Sequence, residues 1–284
     1  MPNVLVLANE TIGGAALLDA VRERAAQGDE PSFFVVVPQT RPRHGNVIYD
    51  DVVRDSAQVR VDLALEFMAG EGIRGSGEVG DGDPLNAVKD AIAEQGIDEI
   101  IISTLPSESS GWLRRDLPER LREETGLPVE HVVVDLVADG LPFDVTLVLA
   151  NQTAASPELT RHLESLAADS PHRFIVVVPQ PHTAGHAVAE ARARLKRLLD
   201  SLRKAGIVAA GMIGDPDPYT AAMNAAQYFH ISEIVVSTLP AGSSQWMADK
   251  LVERIESATN KPVEHIESSP DSQEMSPPPT PAEA

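Results

Sequence analysis

The chain has 284 residues, 43% of them hydrophobic, and a formal charge of −20. That length suffices for two domains of ordinary size, each burying its own core. The acidity, with no Lys/Arg-rich run, argues against nucleic acid or an anionic membrane as partner, because the long-range field repels phosphates. No cysteine is present, which excludes disulfides, thiolate metal sites and a cysteine nucleophile. No apolar run reaches the roughly 18 residues of a membrane span. The segment Met1–Leu7 lacks a basic region and a cleavage site, so it is expected to be a first strand, and the cytoplasm is the expected compartment.

The elements, taken in chain order, come twice. Val4-Leu-Val-Leu-Ala-Asn9 recurs as Thr146-Leu-Val-Leu-Ala-Asn151, and Phe33-Phe-Val-Val-Val-Pro-Gln39 as Phe174-Ile-Val-Val-Val-Pro-Gln180. Gly80-Asp-Gly-Asp-Pro84 recurs as Gly214-Asp-Pro-Asp-Pro218, and Ile100-Ile-Ile-Ser-Thr-Leu-Pro106 as Ile234-Val-Val-Ser-Thr-Leu-Pro240. Ser109-Ser-Gly-Trp112 and Pro128-Val-Glu-His-Val132 are matched by Ser243-Ser-Gln-Trp246 and Pro262-Val-Glu-His-Ile266. Order and spacing establish a tandem duplication. The offset is 142 residues at the start and 134 from the second helix on, so the first copy carries an insertion near Arg41–Asp51.

Within the first copy, Val4–Ala8, Phe33–Val37, Gly75–Val79, Ile100–Ser103 and Val129–Val134 are expected strands. Most are apolar on both faces, as buried parallel strands are. Helical periodicity lies between them. Leu195, Leu198, Leu199 and Leu202 share one face, and so do Leu113, Leu117 and Leu121, matched by Met247, Leu251 and Ile255. Strand–helix alternation implies right-handed crossovers. The expected fold is α/β, with two tandem doubly wound domains, each a five-stranded parallel sheet with helices on both faces. The expected limits are 1–140 and 141–267. The segment 268–284 has five prolines and few apolar anchors, and is expected to be a disordered tail.

Ligands of parallel sheets bind beyond the carboxyl ends of the strands, where the repeated loops fall. Asn9 and Thr11, with Asn151 and Thr153, either bond a ligand or cap the following helix. In the Gly80–Asp81 and Gly214–Asp215 turns, Gly makes the bend, Asp caps and Pro opens a helix; the alternative has the Asp near a ribose or holding Mg²⁺ through water. Ser103–Thr104 and Ser237–Thr238 put small hydroxyls at a strand end. Ser109–Ser110 and Ser243–Ser244 are expected to open a long helix, as caps or as an anion site. Arg114 and Arg115 would reach a phosphate in the first copy, where the second has Ala248 and Asp249, so the first is expected to bind phosphate better. Trp112 and Trp246 are expected to pack the helix start on the sheet. His182 and His186 stand four apart without a third ligand, and His131 and His265 fall in the last strands. No Walker lysine loop, Gly-x-Gly-x-x-Gly or nucleophile elbow occurs, and no nucleophile–base pair is expected.

On these loops the repeat unit resembles the universal stress protein family, over nearly the whole chain except its tail. The resemblance implies a five-stranded parallel sheet per unit. It implies an intramolecular pseudo-dimer pairing Val129–Val134 with Val263–Ile266, with a further homodimer as an added partner. It also implies ATP or another adenine nucleotide at Asn9, Thr11, Gly80, Asp81, Ser103, Thr104, Ser109 and Ser110 and their repeats. The chain departs from the ATP-binding members. Ser103-Thr-Leu-Pro-Ser-Glu-Ser-Ser110 replaces their glycine pattern, and Asn9 and Asn151 replace the usual acidic residue. The expectation is a non-enzymatic stress-response regulator that binds an adenine nucleotide. The alternatives are a scaffold or interaction protein independent of nucleotide and, further off, a nucleotide hydrolase.

Overall fold

The computed structural model describes residues 1–40, 50–106, 110–113, 116–180, 186–240 and 244–270. The first half runs β1 (Asn3–Leu7), α1 (Ala15–Ala25), β2 (Ser32–Pro38), α2 (Asp50–Gly70), β3 (Gly75–Gly80), α3 (Pro84–Gln95), β4 (Glu99–Thr104), α4 (Leu117–Thr125) and β5 (Val129–Val133). The second runs β6 (Asp144–Leu149), α5 (Pro157–Asp169), β7 (His172–Pro179), α6 (His186–Lys204), β8 (Ala209–Gly214), α7 (Pro218–Tyr228), β9 (Glu233–Thr238), α8 (Gln245–Ala248), α9 (Leu251–Thr259) and β10 (Val263–Glu267). The chain divides into two compact units, Met1–Phe143 with Gln227–Phe229, and Asp144–Ala226 with His230–Ala284. No described helix is long and apolar enough to cross a membrane.

Each unit holds one five-stranded sheet, ordered β3-β2-β1-β4-β5 in the first and β8-β7-β6-β9-β10 in the second. Every described pairing is parallel. The chain is thus α/β and doubly wound twice over. β5 and β10 are each the end strand of their own sheet. Alternation along β1 builds both layers. Val4 and Val6 join a core with residues of α1 and α2, while Leu5 and Leu7 join one with residues of α3 and α4. Two-sided burial explains the unbroken apolar runs, since each such side chain contributes roughly 1.5–3 kcal/mol on leaving water. On α6, Leu195, Leu198 and Leu202 are buried against the second sheet.

Two expectations are corrected. The helices expected to open at Ser109–Ser110 and Ser243–Ser244 are not continuous. α4 begins only at Leu117, after Asp116 in the left-handed region, and α8 ends before Lys250, also left-handed. Pro118 does not cause the break, because Val252 stands there in the second unit and the chain turns all the same. The turn separates the segment bearing the tryptophan from the helix that buries Leu117 and Leu121, or Leu251 and Ile255. The second correction concerns the tail. Order does not end at β10, because Ser268 is buried, and its N–H donates to Thr238 O at 2.8 Å. Residues 271–284 and most of the insertion in the first copy (41–49) lie outside the described residues.

Candidate functional site

The register pairs Leu7 with Ile102 and Leu149 with Val236. It therefore brings the loops after β1 and β4 together, and likewise those after β6 and β9. In both sheets these are adjacent strands whose crossovers leave in opposite directions, the switch point where a crevice opens. A cleft of about 290 Å³ lies there in each unit. Asn9, Thr11, Ser103 and Ser110 line the first, beside Glu10, Gln39, Leu105 and Trp112. Asn151, Thr153, Ser237, Thr238 and Ser244 line the second, beside Gln152, Gln245 and Trp246. Trp112 also packs on the core that holds Leu5 and Leu117, so it serves both packing and cleft.

In the Gly-Asp-x-Asp-Pro turns the first glycine and both aspartates are spent on structure, while Gly82 and Pro84 line the first cleft. A Cβ at Gly80 would stand 2.6 Å from Ala87 Cβ, and one at Gly214 2.8 Å from Ala221 Cβ, so glycine lets the following helix approach. Asp81 Oδ1 accepts from Asp83 N at 2.7 Å, and Asp215 Oδ1 from Asp217 N at 2.8 Å. Asp83 caps α3 through Leu85 N and Asn86 N, and Asp217 accepts from Thr220 N. Neither Gly80, Asp81, Gly214 nor Asp215 is among the cleft-lining residues. Thr104 is not among the residues lining the first cleft, and its hydroxyl lies 2.8 Å from His131 Nε2; Thr238, which lines the second, and His265 repeat the pair at 2.8 Å. Burial holds the His131 imidazolium below its ordinary pKa, and the Arg122 cation adds to this while Glu119 opposes it. Ser110 Oγ accepts from Leu113 N at 3.2 Å. Ser109, Arg114, Arg115, Ser243, His182 and the His186 side chain lie outside the described residues. Among those described, no group of three acidic or histidine side chains is placed to hold a metal.

The two clefts differ in how their polar floors are satisfied. In the first, Thr11 Oγ1 donates to Ser103 O at 3.4 Å, but Asn9 Oδ1 and Ser103 Oγ are buried without a hydrogen-bond partner. In the second, Asn151 Oδ1 accepts from Arg194 Nη1 at 3.0 Å. Ser237 Oγ lies 2.8 Å from Thr153 Oγ1 and 3.0 Å from Ser268 Oγ. Position 268 answers to Val134 in the first unit, whose side chain offers Ser103 nothing. Val134 in turn requires Gly14, because a Cβ there would fall 2.2 Å from Val134 Cγ1. The second unit has Ser156 at that place, and its hydroxyl caps α5 by accepting from Leu159 N. Gly14 and Val134 are thus a matched pair, answered in the second unit by Ser156 and Ser268. Sequence reasoning missed them, together with Gln39, Leu105 and Arg194. The recurrence of Gln39 within Val-Pro-Gln, and of Trp112, was the available signal.

No protein-family model matches the chain, and no curated protein matches it. Solved structures do. A universal stress protein from Archaeoglobus fulgidus is 19% identical with a TM-score of 0.37, covering 47% of this chain and 100% of that one. Another, from Archaeoglobus fulgidus DSM 4304, is 15% identical at a TM-score of 0.37, covering 94% of this chain and 96% of its own. A universal stress protein in complex with cAMP is 18% identical at a TM-score of 0.34, covering 45% and 99%. At these values the likeness carries no argument about the site, and the sheet order stands on the hydrogen bonding given above.

Proposed function

We propose that the first unit binds a small polar ligand, an adenine nucleotide or a molecule of that kind, and holds it without rapid chemistry, as a regulatory protein of the stress-response type. One observation carries this reading. Asn9 Oδ1 and Ser103 Oγ are buried in the floor of the cleft with no partner in the protein. A polar group left so costs about 1–3 kcal/mol, and a ligand that bonds to both recovers it. The residues present fit a nucleotide. Asn9 and Ser103 offer hydrogen bonds at the floor, and Trp112 offers an aromatic wall. The volume of about 290 Å³ stands at the small end of ligand pockets. Asp81 is engaged in its turn, so affinity is expected to be insensitive to Asp81→Asn.

Calorimetric titration with ATP, ADP, AMP and cyclic AMP, with and without Mg²⁺, tests the reading. A ligand present at a hundred times its Kd stabilises the protein by about 2.7 kcal/mol, so a thermal shift accompanies the heat. Absence of both heat and shift at millimolar ligand would sink the proposal.

A further inference from the structure

We infer that the two clefts are not equivalent: the first is an open binding site, and the second is closed on itself, its floor satisfied by Arg194 and Ser268 of its own unit, so that the chain takes one ligand rather than two. The inference rests on the proposed reading of the first cleft but stands on a separate observation. The backbone cradle is the same in both, with the same strand order, the same register and a cleft of about 290 Å³. The satisfaction of the floor differs. Arg194 is itself buried and gives Asn151 a charge-assisted hydrogen bond, stronger than a neutral ligand group supplies. A ligand entering the second cleft has to break that bond, and the cluster of Ser237, Thr153 and Ser268 besides, to gain what it replaces. In the first cleft it breaks nothing at Asn9 Oδ1 or Ser103 Oγ. The difference at the serine traces to one position, because Ser268 supplies the hydroxyl that Val134 lacks. The ligand that suits the first floor brings an N–H or O–H donor to Asn9 Oδ1 and a polar group to Ser103. That is an amine- or hydroxyl-bearing molecule rather than a bare acceptor-only anion.

AMP binding to the full chain is the test, read by equilibrium dialysis for stoichiometry and by calorimetry for affinity. One site per chain is expected. Asn9→Leu is expected to weaken it by tenfold or more and Asn151→Leu to leave it unchanged. Should Asn151→Leu fail to fold, Ser237→Ala, which deletes a single hydroxyl, takes its place. Val134→Ser sharpens the result, since Val134 is not among the cleft-lining residues. Supplying Ser103 with an internal partner is expected to weaken AMP severalfold, whereas Val134→Ala, which loses packing without adding a hydroxyl, is not. Two sites per chain overturn the asymmetry, and one site lost with Asn151→Leu and kept with Asn9→Leu overturns the assignment of the open cleft to the first unit, while both leave nucleotide binding intact. If neither AMP nor the other adenine nucleotides bind, the functional reading fails, and melting temperatures decide the asymmetry alone. A loss in Asn151→Leu with none in Asn9→Leu supports it, and equal losses overturn it.

Discussion

The first and second units share a sheet order, a turn chemistry and a cleft, yet one leaves its cleft floor unpaired while the other spends side chains on pairing it. Duplication gave both the same backbone and the same Ser-Thr-Leu-Pro loop. At the serine the departure lies in residues set behind the floor, Val134 against Ser268 and Gly14 against Ser156; at the asparagine it lies in the partner chosen by a shared arginine, since Arg194 donates to Asn151 and Arg60 to Tyr228 O. Buried polar groups are normally hydrogen-bonded, so two orphans in one cleft mark a place where stability has been given up. Their satisfied counterparts show that the same loops fold without that sacrifice. Motif retention in a repeat therefore does not by itself fix how the cleft floor is paired.

The largest effect that tests this comparison comes from transplanting the matched pair. Gly14→Ser alone sets a Cβ against Val134 and is expected to destabilise the first unit by about 1–3 kcal/mol, the usual cost of overpacking. Gly14→Ser combined with Val134→Ser copies the second unit. The double variant is expected to lose less than the two single losses added together, because the contact that causes the first is gone. Urea denaturation of the four proteins measures this coupling, and strict additivity would show that the pairs are unrelated.

A smaller effect probes where the units agree. Asp83→Ala and Asp217→Ala each remove a cap that accepts backbone N–H groups, at about 1 kcal/mol apiece. The two losses are expected to be equal, and AMP affinity unchanged by either. A selective loss of binding in Asp83→Ala would bring Asp83 itself into the site.

The smallest effect is in pH. Burial depresses the His131 pKa, seconded by Arg122. The unfolded chain then binds the proton more readily than the folded one. Stability is whole above the ordinary value of 6.5 and declines as the pH falls from there through the depressed folded value. The position of Arg122 is held by Glu256 in the second unit. Arg122→Glu is therefore expected to soften the acid loss, and His131→Gln to abolish that contribution, in thermal melts between neutral pH and pH 5. An unchanged slope in His131→Gln would remove this histidine from the account.

Much of the fold was legible from patterning. Runs such as Phe33–Val37 are apolar on both faces because helices cover both sides of a parallel sheet, and that property is local. The long helix expected after Ser110 was not legible as broken. Leu113, Leu117 and Leu121 keep helical spacing on either side of Asp116, where the chain turns through the left-handed region. At the site, Asn9, Thr11, Ser103 and Ser110 stood out by recurring at strand ends. Gln39 and Trp112 recurred just as faithfully but looked like a strand terminus and a packing residue, and Trp112 is in fact both.

By itself, then, the sequence determined the duplication, the alternation of strands and helices, and the loops that meet at the switch point, since periodicity and turn chemistry act over a few neighbouring residues. Which cleft is left with unpaired floor atoms was decided only by tertiary structure. It depends on contacts between residues far apart in the chain, Arg194 with Asn151, Ser268 with Ser237 and Val134 with Gly14, and no local pattern records which distant side chain will satisfy a buried hydroxyl.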